Sequence, residues 1–488
     1  MEKNNNKYFG FVTAVFVVII FIFNFYHLNQ QGTYENIFRQ IAVNVIDGKG
    51  YTCDALGGIP LLYPLWGYTG LVLLDVLFDF NNALVLIVQY ILCIVVINLF
   101  YKTYKINPKY RHLLYFLPFI ALMSVKWPDA IVGALLFVYG YFIIQSLREN
   151  GKNGQTSFDK LRMTEGNKLR MTEENKLRMT EENKLRMTEE NKLRNSEKKG
   201  KWKYMLFTGI VLGIILNFRT EYLLMPLVFL VFIFFPQMKG KRRQLFLTTV
   251  ISWLIAIVLL LPWAFRAKSI SGDLSFTATN SGAVMYLSMG QLPNNKWGIS
   301  PYDKTVYDIA DSLGFQSPYS YQANTFFSNK ASELIITEPF EFGKKIGYNF
   351  FSIWKGGVYT GEYANYFISQ NRRYEIDDLI NSTKGIFNKL KILFNLNLHE
   401  SIPVIIEKFL QGVFIPIVFL LLVLFVLSYY KQKDDYMNIV FLVGAAIILY
   451  KVATVCLVQY EYRHINSIYM FLLGTGMTTF TSKIRSKE

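Results

Sequence analysis

Histidine and cysteine are scarce in this chain: four histidines and three cysteines among 488 residues. Cys53, Cys93 and Cys456 stand far apart and have no metal-ligand spacing, so neither a zinc-type site nor a disulfide framework can be argued. Acidic residues are also few, 35 against 51 Lys and Arg, which leaves a formal net charge of +16. In a soluble domain that excess would point to nucleic acid. Here the basic residues fall in short clusters between apolar runs, so membrane topology accounts for them and no nucleic-acid partner is expected. No nucleotide-binding loop, metal motif or other cofactor signature is visible. Over long stretches there is no charge of either sign.

Those uncharged stretches define the class. Phe11–Phe25 and Leu245–Phe265 hold no charge, and 402–430 holds only Glu407 and Lys408 near one end. A helix needs roughly 20 mostly apolar residues to cross a bilayer. In lipid only helices or closed barrels satisfy their own backbone, and these runs are continuous rather than alternating. The sequence therefore predicts an all-α polytopic membrane protein. An N-terminal span is expected to be retained, because its apolar stretch is too long for a cleavable signal.

Lysine and arginine set the orientation. Spans are expected at about 8–26, 82–100, 112–126, 130–147, 203–218, 222–236, 243–264, 403–429, 436–457 and 463–481. That makes about ten spans, with both termini on the cytoplasmic side of the inner (plasma) membrane. The stretch 61–79, interrupted by Pro64, Gly67, Gly70 and Asp75, is assigned to an outer juxtamembrane or re-entrant helix. With it excluded, Lys102–Arg111, Arg148–Lys203, Lys239–Arg243 and Lys431–Lys433 all fall inside.

The chain divides accordingly. Residues 1–148 form an N-terminal transmembrane half, whose first outer loop (27–81) carries juxtamembrane helices. Residues 149–202 are a cytoplasmic insert in which Asn-Lys-Leu-Arg-Met-Thr-Glu-Glu repeats with a period of eight. Eight is not a heptad, so a coiled-coil seam would drift, and the expectation is a tolerated helical or disordered insertion. Residues 203–264 are central spans, 265–402 an extracytoplasmic loop domain, and 403–488 the C-terminal spans. Within the loop domain, Ala323–Ile336 has helical periodicity and ends at Glu338-Pro339. Phe340–Trp354 reads as an amphipathic helix suited to the membrane interface.

Polar groups recur at the outer junctions. In Tyr34–Asp47, Ile37, Phe38, Ile41, Ala42 and Val45 share one helical face, which predicts a helix lying on the membrane. Glu35 stands on its polar side, where it also has i,i+4 spacing to Arg39. Asp129 follows Lys126-Trp127-Pro128 and has the position of a helix N-cap. Arg219 and Glu221 lie in the next junction, Arg266 follows Leu261–Phe265, and Glu461, Arg463 and His464 occupy the last one. Intramembrane charge is rare; Lys451 is the main exception and is expected to snorkel.

These segments, in this order, resemble the GT-C superfamily of membrane glycosyltransferases. The nearest likeness is to polyprenyl-phosphate-sugar-dependent enzymes such as bacterial aminoarabinose transferases and protein O-mannosyltransferases. The resemblance rests on Ala42-Val43-Asn44 with Gly48-Lys49-Gly50-Tyr51, Pro60–Leu65, Arg219-Thr220-Glu221, and Leu261–Arg266. Thr279–Gly282 with Tyr286, Ile336–Pro339, and Glu461–His464 complete it. It covers nearly the whole chain except the insert. One departure is plain: the family's first-loop Asp is Tyr34 here, and only the following Glu35 remains.

The resemblance implies transfer of a sugar from a polyprenyl-phosphate donor to an outer-face acceptor: a glycolipid, a glycan or a protein. Glu35 or Asp129 would take the acceptor's proton. Arg219, Arg266 and Arg463, with Lys126 and His464, would hold the donor phosphate, since guanidinium matches phosphate oxygens in a fork. Glu221, Asn280, Tyr286 and Glu461 would contact substrate. Direct attack would invert the anomeric carbon. An oligosaccharide ligase or polymerase of the same superfamily, a flippase of lipid-linked sugars and a non-catalytic scaffold stay open as alternatives.

Overall fold

The computed structural model describes residues 33–105 apart from positions 57, 63–65 and 81–82, then 128–148, 201–355, part of 368–405, 423, 435–458 and 471. The expected spans at 8–26 and 112–126, most of those at 403–429 and 463–481, and the octapeptide insert lie outside the described residues.

The segment expected as the first outer loop folds on itself. Helix α1 (Thr33–Ile46) forms on the predicted apolar spacing. Its Ile41 and Ala42 are fully buried, against a small core that includes Cys53, Leu56 and Leu61. Each large apolar side chain so buried contributes roughly 1.5–3 kcal/mol. The expectation of a helix resting its apolar face on lipid is thus corrected: that face packs onto the loop and onto α2 (Trp66–Leu77), with Phe38 and Tyr68 edge to face at 4.7 Å. At 12 residues, α2 is about 18 Å long and does not reach across a bilayer. Its buried Asp75 accepts the Leu84 N–H at 2.8 Å, satisfying a first-turn donor of α3 (Ala83–Tyr104).

Helix α4 (Pro128–Leu147) is the centre of the bundle: every residue from Ile131 to Gly140 is buried. It packs against α3, against α7 (Arg242–Ser271) and against α13 (Asp435–Leu457). Ser146 and Thr248 share a hydrogen bond at 3.1 Å between α4 and α7. Helix α5 (Lys201–Phe218) crosses α7 closely because Gly209 and Gly213 face it. A Cβ on Gly213 would lie 2.5 Å from Leu259 Cδ1, and one on Gly209 2.7 Å from Ile255 Cβ. Small residues four apart are a common device for helix approach in lipid. Helices α3, α5, α7 and α13 are each long and apolar enough to cross a membrane.

Two boundaries differ from the sequence reading. The span expected at 222–236 is instead a 3₁₀ turn (Thr220–Leu224), a seven-residue α6 (Met225–Val231) and two further 3₁₀ turns. Pro226 and Pro236 each open a new piece there, since proline withholds an N–H from a continuing helix. The span expected at 243–264 continues further: α7 runs through Pro262 to Ser271, and Gly272 (φ 84°) closes it by donating to Lys268 O.

Beyond α7 come α8 (Ser281–Met289), α9 (Lys304–Ser312), α10 (Tyr321–Thr337) and α11 (Pro339–Lys355). The Ser320 hydroxyl accepts the Ala323 N–H and caps α10, which ends before Pro339 as the sequence predicted. Ala283, Leu287, Val306, Ala323 and Phe327 form the core of this unit. Helix α12 (Ile386–Asn395) has a separate small core with Ile368, Ile376, Ile380 and Val404. The described residues contain no strand, only an isolated bridge between Thr52 and Pro60.

Candidate functional site

The two ends of the bundle differ in charge character. At one end α3 and α4 finish and α13 begins, and there Lys105 and Arg148 both lie over the Tyr436 ring, at 4.8 and 5.6 Å. The opposite end collects α4's start, α5's and α7's finishes and the last turns of α13. It carries the carboxylates of Asp129 and Glu221 as well as cations, while Asp435 stands at the start of α13 at the first end.

There Arg219, just past the end of α5, donates its terminal nitrogen to both oxygens of Asp129, at 2.9 and 2.8 Å. Asp129 is 8% exposed and Arg219 24%, so the pair is screened from water on most sides. The carboxylate also occupies the first turn of α4, where the helix dipole favours negative charge. Two residues on, the Glu221 carboxylate accepts from Lys451 at 2.5 Å. The Tyr450 hydroxyl donates to the Glu221 backbone carbonyl. Lys451 is 2% exposed and lies 4.9 Å over the Tyr222 ring. The expected snorkelling is therefore corrected: Lys451 turns its ammonium to the Glu221 carboxylate and the Tyr222 ring rather than to water.

Arg266 stands apart from these pairs. Its guanidinium lies 5.1 Å over the Tyr51 ring and donates to Leu61 O at 3.3 Å. The Tyr51 hydroxyl donates to Thr69 at 2.8 Å, and burial holds its phenol above the ordinary tyrosine range. Thr279 N–H donates to Leu62 O, so Arg266 and Thr279 together pin the Leu61–Leu62 segment. A cavity of about 650 Å³ opens beside this point, between the first loop and helices α5 and α7. Tyr51, Trp66, Leu73, Ile214, Phe218 and Leu259 are among its mostly apolar walls. Trp66 Nε1 donates to Asn217 Oδ1 at 2.6 Å, and Gly67 lies so near that a Cβ there would meet Asn217 O at 2.5 Å.

Of the residues singled out in the sequence, Asp129 with Arg219, Glu221 and Arg266 reach this end of the bundle. Glu35 lies in the first turn of α1, whose Phe38 packs on Tyr68, which in turn meets Phe218 at 6.5 Å. Its side chain is outside the described residues, as are Lys126, Glu461, Arg463 and His464. Asn280 precedes α8 without capping it; Asn324 Oδ1 takes the Gly282 N–H instead. Tyr286 is a packing residue between α8 and α10, with its ring 5.4 Å from Phe327. Lys451 and Tyr51 are additions to the site. The signal for Lys451 was its charge inside an apolar span, which demands a partner. The chain matches no protein-family model, no curated protein and no solved structure.

Proposed function

We propose that the chain is a multi-pass glycosyltransferase of the inner (plasma) membrane. It transfers a sugar from a polyprenyl-phosphate carrier to an acceptor at the extracytoplasmic face. The observation that carries this reading is the apolar cavity between the first loop and helices α5 and α7, whose lining residue Tyr51 lies under the Arg266 guanidinium. Such a cavity suits a prenyl chain, and a cation beside it suits the phosphate that the chain bears. The basic end marked by Lys105 and Arg148 supports placing the carboxylate-bearing end outside.

In this scheme the acceptor hydroxyl attacks the anomeric carbon as the bond from that carbon to the phosphate oxygen breaks. The hydroxyl proton passes to a carboxylate, and the lipid phosphate leaves as an anion. Asp129 is engaged through both oxygens by Arg219, so its part is to hold that arginine in place. Glu35, on the helix that packs toward Phe218, takes the role of base. Arg266 balances charge on the departing phosphate.

Photocrosslinking tests the reading. A diazirine-bearing polyprenyl phosphate added to the full-length chain in proteoliposomes should label α2, α5 and α7 around the cavity. Excess unlabelled polyprenyl phosphate should compete. Unsaturable labelling, or labelling confined to other helices, contradicts it.

A further inference from the structure

Helix α11 buries a polar stripe beside its apolar one and leaves two phenylalanines outside. Glu341, Lys345, Asn349 and Ser352 recur at helical spacing and are all buried, whereas Phe340 and Phe351 are 87% and 64% exposed. In water such a helix would turn over. What holds the polar face inward is specific. Lys345 Nζ donates to the carbonyls of Cys456, Leu457 and Val458 at 3.3, 2.8 and 2.9 Å, capping the end of α13. Asn349 bridges Gln291 and Cys456 O. The helix is thereby fixed level with the end of a membrane-crossing helix, with Phe340 and Phe351 turned away from the protein while Phe342 packs inward near Met289 and Ile299.

Helix α12 repeats the pattern by a different route. Its Leu393 is buried in the small core with Ile376 and Ile380, while Phe387, Leu390 and Phe394 form a stripe on the other side. Phe387 and Phe394 are 83% and 75% exposed. Lys384, Lys389 and Lys391 flank the stripe, and the apolar run that begins at Ile402 follows closely in the chain. An amphipathic helix with lysines on its borders, tethered to the start of an apolar run, has the make-up of an interfacial element.

We infer that the segment after α7 is seated in the outer leaflet, with the Phe340–Phe351 face of α11 and the Phe387–Phe394 face of α12 inserted among phospholipid chains. The occupant of both faces is the bilayer of the protein's own membrane. Lys344, Lys389 and Lys391 would then stand at the headgroup level, where lysine stems cover apolar surface and the ammonium stays wet. One face lies on the helix that caps the end of α13, and the other shortly precedes the apolar run at Ile402 in the chain, which argues for one lipid surface rather than for two protein partners. This conclusion does not depend on the chemistry of the site.

Spin labels decide it. Single cysteines would replace Phe340, Phe351, Phe387 and Phe394 in the full-length chain, with Glu333→Cys on α10 as the reference. The three native cysteines are buried, which limits background labelling. In nanodiscs of mixed zwitterionic and anionic phospholipid, all four labels should collide readily with oxygen and lose collisions with a water-soluble nickel chelate, relative to Glu333→Cys. Nickel accessibility equal to the reference would put the faces in water and overturn the inference. Shielding from both reagents would mean a protein partner, such as a second copy, and would overturn it equally.

Discussion

Arg219 reaches across 90 residues of sequence to bind both oxygens of Asp129 through a single terminal nitrogen. The pair ties the start of the bundle's central helix to the end of α5. With the neighbouring Glu221–Lys451 pair it joins α4, α5 and α13 through charges that lie largely out of water.

Removing one partner of such a pair leaves the other charge in a medium that solvates it poorly. Arg219→Met or Asp129→Asn should each destabilise the protein by about 3–5 kcal/mol. The double variant should recover much of that loss. Thermal unfolding followed by size-exclusion fluorescence in detergent would read it. Additive losses in the double variant would show that the two residues act independently.

The Glu221–Lys451 pair allows the same test, with a different reach. Because Lys451 also lies on Tyr222, Lys451→Met should loosen the 3₁₀ turn at Thr220–Leu224. A double-mutant cycle with Glu221→Gln should give a coupling energy of about 1–3 kcal/mol. Coupling near zero would mean that the short contact contributes nothing.

Much of this architecture was legible beforehand, and the misses have physical causes. The expected spans at 82–100, 203–218 and 436–457 match α3, α5 and α13 within a few residues, because uninterrupted apolar runs leave few choices. Helix α10 ended where Pro339 required. Hydropathy does not register how Pro226 and Pro236 divide the stretch around α6, nor that Pro262 is carried inside a helix that continues to Ser271. The site was half visible. Asp129, Arg219 and Glu221 stood out as junction charges, but their partners depend on which helices pack together. Lys451, 230 residues from Glu221, read as a snorkelling lysine because nothing along the sequence pairs it with a carboxylate.

Close helix crossing at α5 and α7 predicts intolerance to side-chain growth. Gly213→Leu places atoms where Leu259 already sits and should cost about 1–3 kcal/mol through overpacking. Gly70→Ala, at a site with open space, should be nearly neutral on the same unfolding assay.

Lys345 predicts a pH dependence. Burial pushes its ammonium down to about 7, against an ordinary value of 10.5. Between those values the unfolded chain holds a proton that the folded chain lacks, so stability should rise as pH rises across that window and fall as pH drops toward about 7. Lys345→Met should flatten the slope. An unchanged slope in that variant would assign the dependence to another group.

Deleting Lys160–Arg194 removes most of the octapeptide repeat, and a passive insert predicts unchanged membrane insertion and unfolding temperature. A shift in either would give the repeat a structural role.

Turnover tests the central claim most directly. The purified chain in proteoliposomes would be given a panel of radiolabelled polyprenyl-phosphate sugars together with membrane extract as acceptor, and release of polyprenyl phosphate would be followed. The account predicts release with at least one donor, abolished by Glu35→Gln and strongly reduced by Arg266→Met. Release no faster than in protein-free vesicles for every donor, or full activity in both variants, would contradict it.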